Sequence, residues 1–259
     1  MVVAFESSRS GFHPLLAVWA ASNGLQKRTN RIRTIAGNPE LWNDAAMCGR
    51  YLSTQTWTEL HAAMRNFLGE PKQAAVNLES REQFRPTDSA PIVRMIDDAP
   101  NVSYSRWWLV PWFHKGTLKD WKATTFNARA ETVSTSRAFR DSFKRRRCLV
   151  VTDGWYEWSG PRDGDEKRKQ PWLFKPRDGE PIMFAGISDR CETTDVGTVE
   201  SFTIVTQPAG SPLNGYHDRA PVVLFGDEWR RWLDVECDVT DLLGPASRDR
   251  FVISKCDLP

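Results

Sequence analysis

The 259-residue sequence lacks long apolar runs and a marked net charge. Its longest apolar stretches, such as residues 15–21, are far shorter than the roughly 20 residues of a transmembrane helix, so we expect no membrane span. Lys and Arg number 35 against 33 Asp and Glu, and this balance does not by itself indicate a nucleic-acid partner. With 40% hydrophobic residues, the composition is that of a globular protein with a buried core.

Cysteine is also scarce, and its spacing excludes two common uses. The five cysteines are widely separated, with no CxxC pair and no Cys/His pair at zinc-finger spacing: Cys48, Cys148, Cys191, Cys237 and Cys256. We therefore expect no disulfide framework, no metal site and no cofactor. The first residues also lack the features of a secretory signal, which indicates a cytoplasmic protein with reduced thiols.

The first 46 residues differ from the rest because their basic residues have no periodic apolar partners. We interpret residues 1–46 as a poorly ordered extension, produced by a start codon placed too early or removed from the mature chain. A transit peptide is a weaker alternative. Residues 47–259 are then expected to form one domain.

From residue 48 onward the pattern favours strands. Helical spacing of apolar residues predicts helices over residues 58–68 and 227–233. Short β-branched or aromatic runs predict strands over 90–95, 102–110, 148–158, 172–175, 182–188, 201–206 and 220–225. Many strands with few helices between them indicate an α+β fold with a mainly antiparallel sheet.

Four polar residues in these segments are candidates for chemistry. If translation starts at Met47, removal of that methionine exposes the amine and thiol of Cys48, which can condense with an aldehyde; a buried, inert cysteine is the alternative. Asn127 is a neutral amide in TFNARAET, although a turn residue fits equally well. Glu157 is flanked by aromatic residues, which would raise its pKa, unless it faces water on an alternating strand. His217 lies in a compact polar cluster, but many loop histidines are inert.

Positive charge is clustered near aromatic residues. Six of the eleven residues in 137–147 are Lys or Arg, and aromatic segments lie at 106–108 and 111–113. Basic side chains beside exposed aromatics are typical of single-stranded nucleic-acid binding. The twelve tryptophans could equally belong to the core.

Five motifs occur in an order that identifies a family: MCGRY at 47–51, TFNARAET at 125–132, RCLVVTDGWYEW at 147–158, FTIVT at 202–206 and HDRAP at 217–221. The chain resembles the SOS response-associated peptidase (SRAP) family, whose members shield abasic sites in single-stranded DNA. The resemblance implies a twisted, barrel-like β core with flanking helices. It also implies a covalent crosslink between an N-terminal cysteine and the aldehyde of an abasic site.

The resemblance assigns roles to individual residues. It makes Cys48 the crosslinking residue, Asn127 the group that positions its amine, Glu157 the proton-transfer carboxylate and His217 the group that assists sugar ring opening. Thr206 matches a further active-site hydroxyl. Phosphate contacts are implied for Arg50, Arg129, Arg137 and Arg219, and the surface where DNA kinks and stacks for Pro86, Trp112, Phe113 and Trp158.

Two other functions use the same residues. A cysteine peptidase or amidase would employ Cys48 as nucleophile, His217 as base and Asn127 as oxyanion donor, with autoproteolysis after Met47 as its minimal form. A non-covalent single-stranded DNA binder would need only the basic and aromatic surface.

Overall fold

The computed structural model describes residues 49–211, 213–244 and 250–258. The expectations for residues 1–46 and for Cys48 therefore lie outside the described residues. None of the helices within these three ranges is long and apolar enough to cross a membrane.

Strands dominate the described chain, as the sequence predicts. The thirteen strands within the described ranges are Tyr51–Ser53 (β1), Arg81–Phe84 (β2), Ser89–Ile96 (β3), Ala99–Trp107 (β4), Asn127–Arg129 (β5), Arg147–Thr152 (β6), Gly154–Arg162 (β7), Asp165–Pro176 (β8), Ile182–Thr193 (β9), Gly197–Pro208 (β10), Arg219–Pro221 (β11), Val223–Phe225 (β12) and Phe251–Lys255 (β13). The α-helices there are Trp57–Phe67 (α1), Arg140–Arg145 (α2) and Gly226–Leu233 (α3).

Five of the strands form a closed ring. β10 pairs with β4, β4 with β3, β3 with β6, β6 with β9, and β9 again with β10. All of these pairs are antiparallel except β10–β4, which joins Ser201 and Phe202 to Arg106 and Trp107 in parallel. Three short strands pair with ring strands without being part of the ring: β5 and β11 pair with β10, and β12 pairs with β9. The prediction of a mainly antiparallel, barrel-like α+β fold is confirmed.

A second sheet has the strand order β13-β8-β7-β1-β2. The most extensive strand pairing in this sheet is the hairpin of β7 and β8, in which Glu157 lies opposite Trp172. β1 pairs with β7 through Tyr51 opposite Trp155. This pairing brings the beginning of the described chain against the first residues of β7.

The ring strands have two buried faces. In β6, Val151 packs with the helices in a cluster that includes Trp229 and Trp232, whereas Val150 packs with Tyr51 and the other aromatic residues of the second sheet. Successive side chains of a strand point to opposite faces, so each ring strand joins the two clusters. This explains why β6 is an uninterrupted buried run.

Helices α1 and α3 cover one face of the ring. Thr56 and Glu59 form a capping box that starts α1, which satisfies main-chain N–H groups left free at a helix N-terminus. The Phe67 ring of α1 lies 5.2 Å from that of Trp229 in α3. A Cβ atom at Gly226 would lie 2.3 Å from the Phe67 ring, so only glycine permits this close approach.

The tryptophans divide between core and surface. Trp107, Trp155, Trp229 and Trp232 are at most 1% exposed, whereas Trp112 is 50% exposed. The Trp232 Nε1–H donates to the carbonyl groups of Cys148 and Gly186 at 2.9 and 3.1 Å, as a buried indole requires. The core interpretation therefore holds for these four residues, and Trp112 remains available at the surface.

Two predicted strands are each divided in the structure. Residues 148–158 were expected to form one strand, but β6 and β7 are separated at Asp153, whose carboxylate accepts hydrogen bonds from the main chain and hydroxyl of Thr54. Residues 220–225 form β11 and β12, which pair with β10 and β9 respectively. Both divisions occur where the chain passes from one neighbouring strand to another.

Candidate functional site

Arg219 is the centre of a polar cluster beside β10. Its guanidinium group binds both carboxylate oxygens of Glu131, with Nη2 donating to Oε2 at 2.9 Å. Nη2 also donates to the Thr206 carbonyl oxygen at 2.7 Å and lies 3.4 Å from the Thr206 hydroxyl. The Arg219 side chain is 9% exposed and that of Glu131 is 47% exposed. Arg219 therefore joins β11 and β10 to the segment that follows β5.

His217 contacts the same arginine through the main chain. The Arg219 N–H donates to His217 Nδ1 at 3.0 Å, and Asp218 Oδ1 lies 2.8 Å from the same nitrogen. Burial is the main cause that lowers the pKa of His217, opposed by the Asp218 charge. In a neutral ring whose Nδ1 lone pair accepts the Arg219 N–H, the proton lies on Nε2.

The two contacts of Nδ1 suit different protonation states. A ring with its proton on Nε2 alone accepts from Arg219, whereas a ring with a proton on Nδ1, neutral or charged, can donate to the Asp218 carboxylate. The second becomes an ion pair when the ring gains a proton, and it is then exposed to solvent because the Asp218 side chain is 86% exposed.

Asn127 and Thr206 lie on neighbouring strands. β5 runs parallel to β10, with Asn127 opposite Ile204 and Arg129 opposite Thr206. Thr206 is fully buried and Asn127 is half-buried. The turn alternative for Asn127 is wrong because the residue begins a strand. Asn127 and Thr206 thus lie on the paired strands β5 and β10, and Thr206 is also the residue of β10 that Arg219 contacts.

Glu157 is a buried carboxyl group in β7. The residue is 3% exposed, so the alternative in which it faces water is wrong. Its strand neighbour Trp158 lies under the Arg50 guanidinium, 5.0 Å from the ring centroid. Burial favours the protonated form of a carboxyl group, and the raised pKa expected from the sequence stays a prediction.

Aromatic contacts connect Glu157 to the loop that carries His217. Trp172, opposite Glu157 in the hairpin, lies 4.9 Å from the Tyr216 ring, and Tyr216 directly precedes His217. The Ser159 hydroxyl donates to the Gly215 carbonyl oxygen at 3.2 Å. These contacts join the hairpin that carries Glu157 to the loop that carries His217, 60 positions further along the sequence.

Arg50 directly precedes β1 and lies beside the strand that carries Glu157. Its carbonyl oxygen accepts from the Tyr156 N–H at 3.0 Å, and its guanidinium donates to Gln83 at 3.2 Å. Burial is the main cause that lowers the pKa of Arg50, followed by the nearby Arg85 charge. Arg50 thus lies beside Tyr156, the residue that precedes Glu157.

Trp112, Phe113 and Arg137 form a separate group. The Arg137 guanidinium lies 4.9 Å from the centroid of the Phe113 ring, which is 6.0 Å from that of Trp112. Two hydrogen bonds hold Trp112 in place: its main-chain N–H donates to the buried Asp189 and its Nε1–H donates to Asp141, both at 3.1 Å. The group therefore presents the exposed ring of Trp112 from a position fixed by β9 and by the basic helix α2.

The remaining predicted DNA contacts differ in accessibility. Arg129 is exposed and forms no side-chain ion pair with the described residues, whereas Pro86 is buried. Thr87, which follows Pro86, has a φ of 81°, a strained value for a β-branched residue. The Arg106 guanidinium donates to the Thr87 carbonyl oxygen at 2.8 Å. The DNA contacts of these residues stay predictions.

The four described cysteines are free and unreactive in character. Burial raises the pKa of Cys148 to about 12. Burial also raises the pKa values of Cys191 and Cys256, and the hydrogen bond to Asp234 raises that of Cys237. Because the thiolate is the nucleophilic form, none of the four is prepared for nucleophilic chemistry. We find no group of three or more metal-binding side chains in the described ranges.

Sequence reasoning missed Glu131 as a member of the site. Glu131 lies within the motif at 125–132, but the family resemblance assigns no role to it. Its partner Arg219 is 88 positions away, and nothing in the local sequence of either residue indicates the pair. The buried position of Arg219, which demands a counter-charge, becomes visible only in the fold.

Comparison with solved structures supports the fold. The chain aligns with a crystal structure of a protein from Bacteroides thetaiotaomicron with a TM-score of 0.69 at 24% identity, covering 81% of this chain and 92% of that one. It aligns with a protein from Bordetella bronchiseptica with a TM-score of 0.66 at 25% identity, covering 82% and 100%.

Sequence comparison finds relatives in bacteria and eukaryotes. The chain is 31% identical over 192 residues to the abasic site processing protein YedK of Escherichia coli, covering 73% of this chain and 81% of that protein. It is 28% identical over 215 residues to an abasic site processing protein of Saccharomyces cerevisiae, and spans 56% of the length of that relative. Residues 47–256 match the family described as SOS response associated peptidase, SRAP. The chain belongs to the SRAP family.

Proposed function

We propose that this protein recognises abasic sites in single-stranded DNA and protects them by a covalent bond to Cys48. Two of its relatives are named abasic site processing proteins, which supports the substrate class. The observation that carries the proposal is a buried carboxyl group, Glu157, in the strand that pairs with β1. There Arg50 binds Tyr156, and Tyr156 is followed by the buried Glu157.

Cys48 is two residues from Arg50 in the sequence. Two residues span at most about 7 Å, so the chain connection keeps Cys48 close to the strand that carries Glu157. The four described cysteines have raised pKa values, which leaves Cys48 as the candidate nucleophile. These facts support a reaction at Cys48 beside Glu157 and His217.

The proposed reaction joins both nucleophiles of an N-terminal cysteine to one carbon. The abasic sugar opens to its aldehyde, and the Cys48 amine attacks C1′ to give a carbinolamine, which loses water to form an imine. The Cys48 sulfur then adds to C1′ while its proton passes to the nitrogen. The product is a five-membered thiazolidine and one water molecule. Ring closure removes the imine, from which β-elimination would cleave the DNA strand.

His217 and Glu157 are assigned the proton transfers. A protonated His217 donates its Nε2 proton to the sugar ring oxygen and retains a proton on Nδ1, where Asp218 can accept it. Glu157 takes protons from the Cys48 amine and returns one to the departing hydroxyl group. Asn127 holds the amine without adding charge, and the Thr206 hydroxyl lies beside Arg219 at the same ladder.

The surface of the protein supplies the DNA affinity in this proposal. Arg50, Arg129 and Arg137 bind phosphates, and the exposed Trp112 with Phe113 stacks bases that flank the lesion. Phosphate contacts carry no sequence information, which suits a lesion that has no base to read.

A denaturing gel with an abasic oligonucleotide tests the proposal. We expect a covalent band from a chain that begins at Met47, after methionine removal, and no band from a chain that retains residues 1–46, because a peptide nitrogen is not nucleophilic. Cys48→Ala should give at most a labile imine with some strand cleavage. Cys256→Ala, which also removes a free thiol, should crosslink normally.

Three results would contradict the proposal. Equal crosslinking by a chain whose intact residues 1–46 are verified by mass spectrometry would exclude the amine mechanism. A heat-stable adduct of Cys48→Ala would assign the bond to another nucleophile. Turnover of peptides without any DNA adduct would indicate the peptidase, and DNA binding with neither activity would indicate a simple binder.

A further inference from the structure

We propose that Glu131 is a positioning residue, which fixes the proton of His217 on Nε2 by holding Arg219 in place. The inference rests on the proposed function, because it concerns the residue assigned to sugar ring opening. It is carried by a chain of contacts from the Glu131 carboxylate, through the Arg219 side chain and main chain, to His217 Nδ1.

The first step is the dependence of Arg219 on Glu131. Glu131 is the only carboxylate within 4.0 Å of the Arg219 guanidinium among the residues that the structure describes. It binds the group through both oxygens, a geometry that fixes the plane of a guanidinium as well as its position. The Thr206 carbonyl oxygen accepts from Nη2 on the other side. Without Glu131, a nearly buried cation keeps one neutral acceptor from β10 and loses its counter-charge.

The second step is the main-chain position of Arg219 in β11. The three residues of β11 pair with β10, and Arg219 lies opposite Pro208. The hydrogen bonds from the Ala209 N–H to Asp218 and from the Val222 N–H to Val205 show that Arg219 occupies one of the non-hydrogen-bonded positions that alternate with these pairs. The Arg219 N–H therefore makes no ladder bond to β10 and donates to His217 Nδ1 instead.

The third step is the choice between two forms of His217. The Arg219 N–H requires a lone pair on Nδ1 and so favours the form with the proton on Nε2. Asp218, 2.8 Å from the same nitrogen, favours a proton on Nδ1 instead. If Arg219 shifts, the Asp218 preference wins, and the neutral ring carries its proton on Nδ1 and an acceptor on Nε2. Glu131 thus decides which nitrogen carries the proton.

Nitrogen NMR of the full chain distinguishes the two forms, since protonated and unprotonated ring nitrogens resonate in different regions. At about pH 8, where histidine is neutral, we expect the wild-type His217 signal to show Nε2–H and the Glu131→Gln variant to show Nδ1–H. His217→Gln identifies the signal among those of the four histidines.

A surface pair provides the matched control. Asp241 binds Arg231 through both oxygens at 2.8 and 3.0 Å, and both side chains are exposed. Asp241→Asn makes the same chemical change as Glu131→Gln and should not alter the His217 signal. Circular dichroism checks folding. If Glu131→Gln does not fold, Arg219→Lys replaces it, because an ammonium group cannot bind both carboxylate oxygens and Thr206 in the same geometry.

The outcomes separate this inference from the proposed function. An Nε2–H signal retained in a folded Glu131→Gln or Arg219→Lys variant overturns the positioning role. A wild-type protein that forms no crosslink refutes the proposed function, while the NMR comparison still decides the coupling of Glu131 to His217.

Discussion

Replacing Arg129 by alanine should change how DNA binding responds to salt. Arg129 lies at the end of β5, is exposed, and forms no ion pair with the described residues. Its removal therefore leaves no buried partner behind. The expected effect is the loss of one phosphate contact with little change in folding.

The structure sets the expected size of this effect. Each phosphate contact on a single strand contributes about 0.7 to the slope of log K against log[salt]. Arg50, Arg129 and Arg137 form no carboxylate ion pairs in the described ranges, whereas Arg219 is occupied by Glu131. Three contacts give a slope near −2, so raising salt from about 50 to about 200 mM should weaken wild-type binding about 20-fold. Two contacts should weaken binding by Arg129→Ala about 7-fold over the same range.

Fluorescence anisotropy with an undamaged labelled oligonucleotide measures both slopes without any covalent step. Arg231→Ala is the control, because it removes the same charge from an exposed position on α3. We expect the control to retain the wild-type slope. A wild-type slope near zero, or an unaltered slope for Arg129→Ala, would refute the reasoning and place the nucleic-acid surface elsewhere, with the basic helix α2 the next region to test.

Three further predictions concern other parts of the molecule. Trp112→Ala should weaken binding by about 1–3 kcal/mol at an unchanged salt slope, because it removes stacking and no charge; an altered slope in the same anisotropy assay would argue against this. Glu157→Gln should slow crosslinking about 10²- to 10⁴-fold with unchanged DNA affinity, and an unchanged single-turnover rate would leave Glu157 a purely structural residue. The Arg219 hydrogen bond holds the pKa of Glu131 below its ordinary value of 4.5, so the pair stabilises the fold fully above that pH and less as the pH falls through the lower folded-state value. Urea unfolding should therefore show a smaller loss of stability on acidification for Glu131→Gln than for wild type, and equal losses would contradict the assignment.

The sequence predicted the elements with strong periodicity. The helix expected over residues 58–68 is α1, and the one over 227–233 is α3. Both have regularly spaced apolar residues that pack on the ring. Helix α2 was missed because its six residues, RDSFKR, are almost all polar and bury only Ser142, so the segment has no apolar periodicity to detect. β5 was missed because a strand of three residues is too short to show alternation.

The sequence indicates candidate residues for the site, but it does not indicate how they are arranged. The motifs located Asn127, Glu157 and His217 through the family resemblance, and Glu157 through its aromatic neighbours. What joins them are contacts between distant segments, such as Trp172 with Tyr216 and Glu131 with Arg219. Such contacts depend on strand order and register, which local sequence patterns do not determine.

The parallel pairing of β10 with β4 has a consequence for folding kinetics. The ring closes through only two register positions, which join residues about 95 places apart in the sequence, and the entropy of closing so long a loop must be lost before the contact is gained. We expect the antiparallel hairpins β3–β4 and β9–β10 to form early and this seam to form late. Because β5 and β11 both attach to β10, the polar cluster around Arg219 would assemble only in the last phase of folding. A partly folded chain would then expose its basic and aromatic surface to DNA before it acquired any catalytic competence.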